Sequence, residues 1–265
     1  ENNLQKVNSE RLSSYRGVEF VLDGLGQVAH CLQSYWEGVS FGKPITHIKD
    51  VLVCTHGMRD KCCARFGQPF FKAAERLETK PAFKDVRVWR VSHIGGHRFA
   101  PTAIVLPEGR YYAHLTLAAL RALLTRSGEV SQLQPMYRGW GLLPKSLQVV
   151  ERQLLLQIGW PWLDYRLSYR VISEEKKSVR AVLLTEFTES SGKMLTTYQV
   201  RVVKSKNDAH RIHTSCNDQC PFVPIQYAIA DLSILTTQQH NRSPATTQPS
   251  QVCIPADTPV SKSGE

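Results

Sequence analysis

Hydrophobic positions along this 265-residue chain follow two patterns, and the change between them divides it. Between residues 18 and 39, Leu22, Leu25, Val28, Cys31, Leu32, Tyr35 and Trp36 recur at helical spacing. That predicts an amphipathic helix with Cys31 as a buried thiol on its apolar stripe. Ile45–Val53 is rich in β-branched residues and predicts a strand delivering Cys54. Asp60 is placed to N-cap a helix running to about Leu77, with Cys63, Phe66, Phe70, Phe71, Ala74 and Leu77 as its apolar positions. Lys80–Pro81 ends that helix, and Val86–Val91 reads as a second strand running into Ser92–Ala100.

Two short strands, Thr102–Leu106 and Arg110–Leu115, flank the turn Pro107-Glu108-Gly109. Leu117–Leu124 is a short helix closed by Gly128. The order from residue 18 is α-β-α-β-β-β-α, which suits a central sheet covered by helices. We therefore expect an α/β domain of thioredoxin-like arrangement over residues 1–128. Beyond it the pattern shifts. Tyr137–Pro144 reads as a connector, Lys145–Ile158 as an amphipathic helix, and Tyr165–Ile172, Ser178–Phe187 and Met194–Val203 as alternating strands. Turn residues at Glu174–Lys177 and Ser190–Gly192 make an antiparallel meander. Helix and meander form an expected α+β extension over 129–235, and the Gln-, Thr-, Ser- and Pro-rich stretch 236–265 is an expected disordered tail.

Composition narrows the functional classes. At 42% apolar residues the chain is globular, and no run approaches the roughly 18–20 apolar residues of a membrane span. Glu1–Ser9 is polar and carries no signal-peptide pattern, and a first residue other than Met is compatible with a fragment or processed form. The net charge of +10 favours acidic partners. Lys and Arg are scattered, with no nucleic-acid motif, so no nucleic acid is expected. Seven cysteines argue against a disulfide scaffold and for a reducing, cytoplasmic setting, where clustered cysteines mean metal or redox chemistry.

That chemistry sits in two segments, Cys54-Thr-His-Gly-Met-Arg-Asp-Lys-Cys62-Cys63 and His93-Ile-Gly-Gly-His97. Cys54 ends one strand and His93 the other, so adjacent parallel strands would bring both loops to one sheet edge. Gly95–Gly96 disfavour a helix there and let the backbone approach a ligand. The helix start at Asp60–Cys63 offers a positive dipole end that favours a thiolate at Cys63. The residues alone leave a metal site, a redox thiol and structural roles open, with a metal site favoured. Zinc also takes two Cys and two His, although Cys54 and Cys63 are farther apart than the usual zinc pair.

VCTHGMRDKCCARFG and SHIGGHRFAPTAIVLPEGRYYAHL together resemble the sucrase/ferredoxin-like family, which is related to thioredoxin-like [2Fe–2S] ferredoxins. The resemblance is detailed over residues 45–128 and looser through YRGWGLLP and ERQLLLQIGW. It implies a [2Fe–2S] cluster held by Cys54, Cys63, His93 and His97 in an electron carrier, for which the basic charge makes an acidic redox protein the expected partner. His56, Arg59, Cys62, Gly95, Gly96 and Arg98 are the expected surroundings of those ligands. Cys62 competes with Cys63, and Cys216-x₃-Cys220 is a less favoured ligand pair because it follows the meander. Two imidazoles in place of thiolates should raise the potential, as His₂ ligation does in Rieske centres, and could couple electron uptake to a proton. The hydrolase reading in the family name finds no pair of carboxylates in an acid/base motif.

Overall fold

The computed structural model of the chain describes residues 12–39, 42–189, 192–206, 211–213, 215–216 and 219–241. Its centre is a five-stranded sheet of β3 (Lys49–Cys54), β4 (Val86–Val91), β5 (Ala103–Leu106), β6 (Arg110–Tyr112) and β7 (Tyr137–Trp140), in the order β4-β3-β5-β6-β7. β3 and β4 are parallel with Cys54 opposite Val91, and the remaining pairs are antiparallel. The crossover between them carries α2 (Gln68–Glu78), and α3 (Leu117–Thr125) follows β6. A β-α-β unit followed by a hairpin and a helix, with the first strand central, is the thioredoxin-like arrangement.

Side-chain chemistry accounts for these elements. Val51 and Val53 of β3, Val86 and Val88 of β4, and Ala103 and Val105 of β5 fill the core, as alternation along a half-buried strand requires. Phe70, Phe71, Ala74 and Leu77 form the buried stripe of α2. The Thr116 hydroxyl caps α3 by accepting the Ala119 N–H at 3.1 Å.

The extension starts with α4 (Lys145–Ile158) and continues as β8 (Arg166–Glu174), β9 (Ser178–Glu189), β10 (Gly192–Ser205) and β11 (Gln226–Asn241), an antiparallel sheet in the order β11-β10-β9-β8. α4 packs on β7 of the first sheet and on β10 and β11 of the second, and one hydrophobic core runs through both. Inside that core Glu151 of α4 accepts hydrogen bonds from the Arg110 guanidinium, the Tyr137 hydroxyl (2.6 Å) and the Trp162 indole (2.8 Å). Arg110 also lies 4.8 Å over the Trp140 ring. A buried carboxylate is tolerable here because each oxygen has donors.

Several expected elements differ. The single helix over 18–39 is instead β1 (Gly17–Glu19), a 3₁₀ turn at Leu25–Gln27 and a shorter α1 (Val28–Trp36). Gly24 and Gly26 interrupt the helical run, and Val21 and Leu25 stay exposed. The expected strand 45–53 is split between β2 (Lys43–Ile45), which pairs with β1, and β3. Tyr137–Trp140 is not a connector but the fifth strand of the first sheet, so that sheet extends past residue 128. β11 was not foreseen, and it occupies the start of the stretch expected to be a disordered tail. Residues 242–265 and the expected turn at 190–191 lie outside the described residues.

Candidate metal centre

Because β3 and β4 are parallel neighbours, Cys54 and the loop after Val91 leave the sheet at the same edge. Cys54 is buried at the end of β3, with its N–H donating to the Thr102 carbonyl at 3.1 Å. Cys63 is fully buried at the start of a π-helical turn, Cys63–Gly67, that leads into α2. Such turns recur at functional sites because they re-aim side chains without breaking the helix. Gly67 explains how the helix comes so close: a Cβ there would stand 2.1 Å from the Cys54 carbonyl oxygen. The absence of a side chain at 67 lets Cys63 reach Cys54.

His93 completes this group. Its Nδ1 lies 3.5 Å from Cys63 Sγ and 3.9 Å from Cys54 Sγ, and the three ligand atoms are all within 4.8 Å of one another. His97 is buried in a 3₁₀ turn, His97–Phe99, and belongs to a second group. There Cys62 Sγ, His97 Nδ1 and Cys216 Sγ are mutually within 4.8 Å. Cys216 Sγ stands 3.2 Å from His97 Nδ1 and 3.0 Å from Cys62 Sγ. Thus three of the four expected ligands meet directly, while the fourth faces Cys62 and a cysteine of the extension.

Asp60 stands between the two groups. Its side chain is fully buried, with Oδ2 3.7 Å from His93 Nε2 and Oδ1 3.7 Å from His97 Nδ1. Oδ1 accepts the Ser215 hydroxyl (2.8 Å) and the Cys216 N–H (2.7 Å), whereas Oδ2 has no hydrogen-bond partner among the described residues. The expected helix cap is therefore replaced by a clamp on the extension. Burial would raise the Asp60 pKa, but the Cys216 N–H, the Ser215 hydroxyl and the two imidazoles outweigh it and hold the carboxyl below its usual range.

The histidine tautomers follow from their neighbours. His97 Nε2 lies 3.3 Å from the His213 carbonyl, which can only accept, so Nε2 carries the hydrogen and the Nδ1 lone pair faces Cys216. Burial lowers the His93 pKa; Asp60 opposes this, and Arg59, His97 and His56 add to it. A neutral imidazole is the form that binds metal. The Cys63 thiol is pushed up to about 12, first by burial and then by Cys54 and Asp60. Two buried sulfurs and an imidazole gathered beside a carboxylate are a donor set that a metal cation stabilises. These residues fit an iron–sulfur or zinc centre.

The remaining expected residues surround these groups. His56 and Arg59 are exposed, yet near enough for their charges to act on His93. Arg98 lies 5.6 Å over the Phe99 ring, with Nε and Nη1 buried and without hydrogen-bond partners among the described residues. Gly95 and Gly96 have φ of +87° and +70°, the left-handed region that favours glycine. A Cβ on Gly96 would also meet the Arg138 guanidinium at 2.3 Å, so β7 braces this loop. Asp60, Gly67 and Arg138 were missed as site residues, and Cys216 was assigned a different partner. An Asp two residues before a double cysteine was the one local signal among them.

A model of the sucrase/ferredoxin-like family matches residues 3–139, about half of the sequence. The chain belongs to the sucrase/ferredoxin-like family. Among solved structures, a thioredoxin-like [2Fe–2S] ferredoxin from Aquifex aeolicus is 18% identical, with a TM-score of 0.31, over 38% of this chain and 97% of that one. A 1.5 Å crystal structure of the wild-type ferredoxin from the same organism is 19% identical, with a TM-score of 0.27, over 31% and 85%. No curated protein matches. The family match ends at Gly139, inside β7, so the extension with Ser215 and Cys216 lies outside it.

Proposed function

We propose that this family member binds a [2Fe–2S] cluster through Cys54, Cys63, His93 and His97 and carries electrons to or from an acidic protein partner in the cytoplasm. One observation carries the reading: Cys54, Cys63 and His93 bring their ligand atoms within 4.8 Å of one another, with His97 across the shared Asp60 carboxylate. The cluster would supply one-electron redox chemistry. The chain holds two sulfurs on a strand end and a helix start, favours the neutral form of His93 by burial, and excludes water from all but the His93 side. Met58 and Phe66 stand exposed near this edge beside Arg59, Lys61 and Arg65, which suits transient contact with an acidic surface. Among the described residues no helix is long and apolar enough to cross a membrane.

The test is the visible spectrum and the iron and sulfide content of protein purified without oxygen. Reddish-brown bands with equal iron and sulfide support the proposal, and colourless, iron-free protein overturns it. A second reading has its own observation. Cys62, His97 and Cys216 form a Cys₂His set of the kind zinc accepts, and zinc in place of iron in the same preparation would favour it.

A further inference from the structure

We propose that Cys62 and Cys216 form a reversible disulfide that fastens the extension over the metal-ligand residues. Their sulfurs are 3.0 Å apart although the residues are 154 positions apart in sequence. A bond of about 2.05 Å therefore needs roughly 1 Å of approach. The approach is prepared rather than accidental, because the buried Asp60 carboxylate, two residues before Cys62, holds the N–H of Cys216 and the hydroxyl of Ser215. Both cysteines are free thiols, Cys216 exposed and Cys62 partly so, unlike the buried Cys54 and Cys63. The bond does not rest on the cluster reading, since neither cysteine is in the proposed ligand set.

The surroundings also select an oxidant. A cleft of about 380 Å³ opens beside Cys216, lined by His97, Arg98, Arg211, His213 and Ser215. Its basic lining favours a low-molecular-weight disulfide that carries carboxylates. Cys216 is the exposed sulfur and Cys62 the partly buried one, so Cys216 meets the oxidant first and Cys62 resolves. The Cys216 thiolate attacks one sulfur of R–S–S–R; that S–S bond breaks, R–S⁻ leaves, and a mixed disulfide forms. Cys62 then loses its proton, attacks Cys216 Sγ and expels the second R–S⁻. The chain gives up two electrons and two protons, and R–S–S–R becomes two thiols.

Oxidised glutathione is the probe, applied to the full chain as purified. Peptide mapping after alkylation should find Cys62 joined to Cys216, with fragment sequencing separating Cys62 from Cys63 and cleavage before Asp218 separating Cys216 from Cys220. Dithiothreitol should reverse it. The reaction should be several-fold faster than with hydroxyethyl disulfide, which is neutral, and Arg98→Gln should reduce that preference. The proposal is overturned if both cysteines remain alkylatable, if glutathione stays on Cys216, or if Cys62 pairs with Cys63 or Cys220 instead. Cys216→Ser, checked for folding by circular dichroism, should abolish the cross-link.

Discussion

Glu151→Ala removes the buried carboxylate that ties α4 to β6 and β7 of the first sheet. The side chain of Arg110 is only 3% exposed and that of Glu151 is fully buried, so water cannot replace the lost partner. Breaking a buried pair from one side costs about 3–5 kcal/mol, because a guanidinium is left uncompensated. The Tyr137 hydroxyl and Trp162 indole lose their acceptor as well, each worth about 1 kcal/mol or more when buried. The sum is not strictly additive within one network, and about 4–6 kcal/mol is expected. For a chain of this size that corresponds to a fall in Tm of roughly 8–24 °C. Urea unfolding followed by circular dichroism reads the change, and Arg110→Met with Glu151→Leu should recover most of it by removing both charges. A Glu151→Ala protein within about 1 kcal/mol of the parent would refute the assignment of this pair as the joint between sheet and extension.

Other expectations follow from the same structure. Gly67→Ala places a methyl against the Cys54 carbonyl and should cost about 1–3 kcal/mol, with weaker metal retention than an Ala substitution at exposed Gly26, measured by unfolding and metal content. Asp50 on β3 accepts two hydrogen bonds from Arg87 of β4, at 2.7 and 2.9 Å. Burial pushes its pKa up, but Arg87 and Trp89 outweigh this and hold it below 3.8. Its contribution is therefore present above pH 3.8 and lost as pH falls through the lower folded value, so Asp50→Asn should be less stable at pH 7 and show a shallower acid transition. His93→Cys with His97→Cys should keep a cluster at lower potential, read by redox titration with the visible spectrum.

How much was legible from sequence depended on whether a local pattern existed. β4 and α4 have the residue limits expected, because VRVWRV alternates and the α4 stripe repeats every three to four residues. β7 was missed because Tyr-Arg-Gly-Trp is short and glycine-bearing, and only pairing with β6 makes it a strand. β11 was missed for a related reason. It is an edge strand whose Ile234 and Leu235 are exposed, so it lacks the alternation that burial of one face imposes. The cysteine and histidine segments were legible because their ligand types cluster within a few residues. Cys216 meets His97 across 119 positions, and no spacing rule reaches that far.

The clearest consequence of that long-range contact concerns Asp60. His93 presents Nδ1 to the sulfurs and Nε2 to Asp60 Oδ2, the geometry in which a carboxylate orients a metal-binding imidazole from behind. The unpartnered Oδ2, 3.7 Å away, is positioned to tighten onto the Nε2–H when Nδ1 is committed to a metal. Asp60→Asn keeps an acceptor at Oδ1 for Ser215 and Cys216, so the clamp on the extension should survive. What it removes is the negative charge and acceptor behind the ring. Loss of such a partner typically lowers metal affinity about 10–100-fold. Cobalt(II) titration, followed through its thiolate absorption bands, reads that affinity directly. An Asp60→Asn protein that binds cobalt as tightly as the parent, with its fold intact, would mean that Asp60 serves only to hold the extension in place.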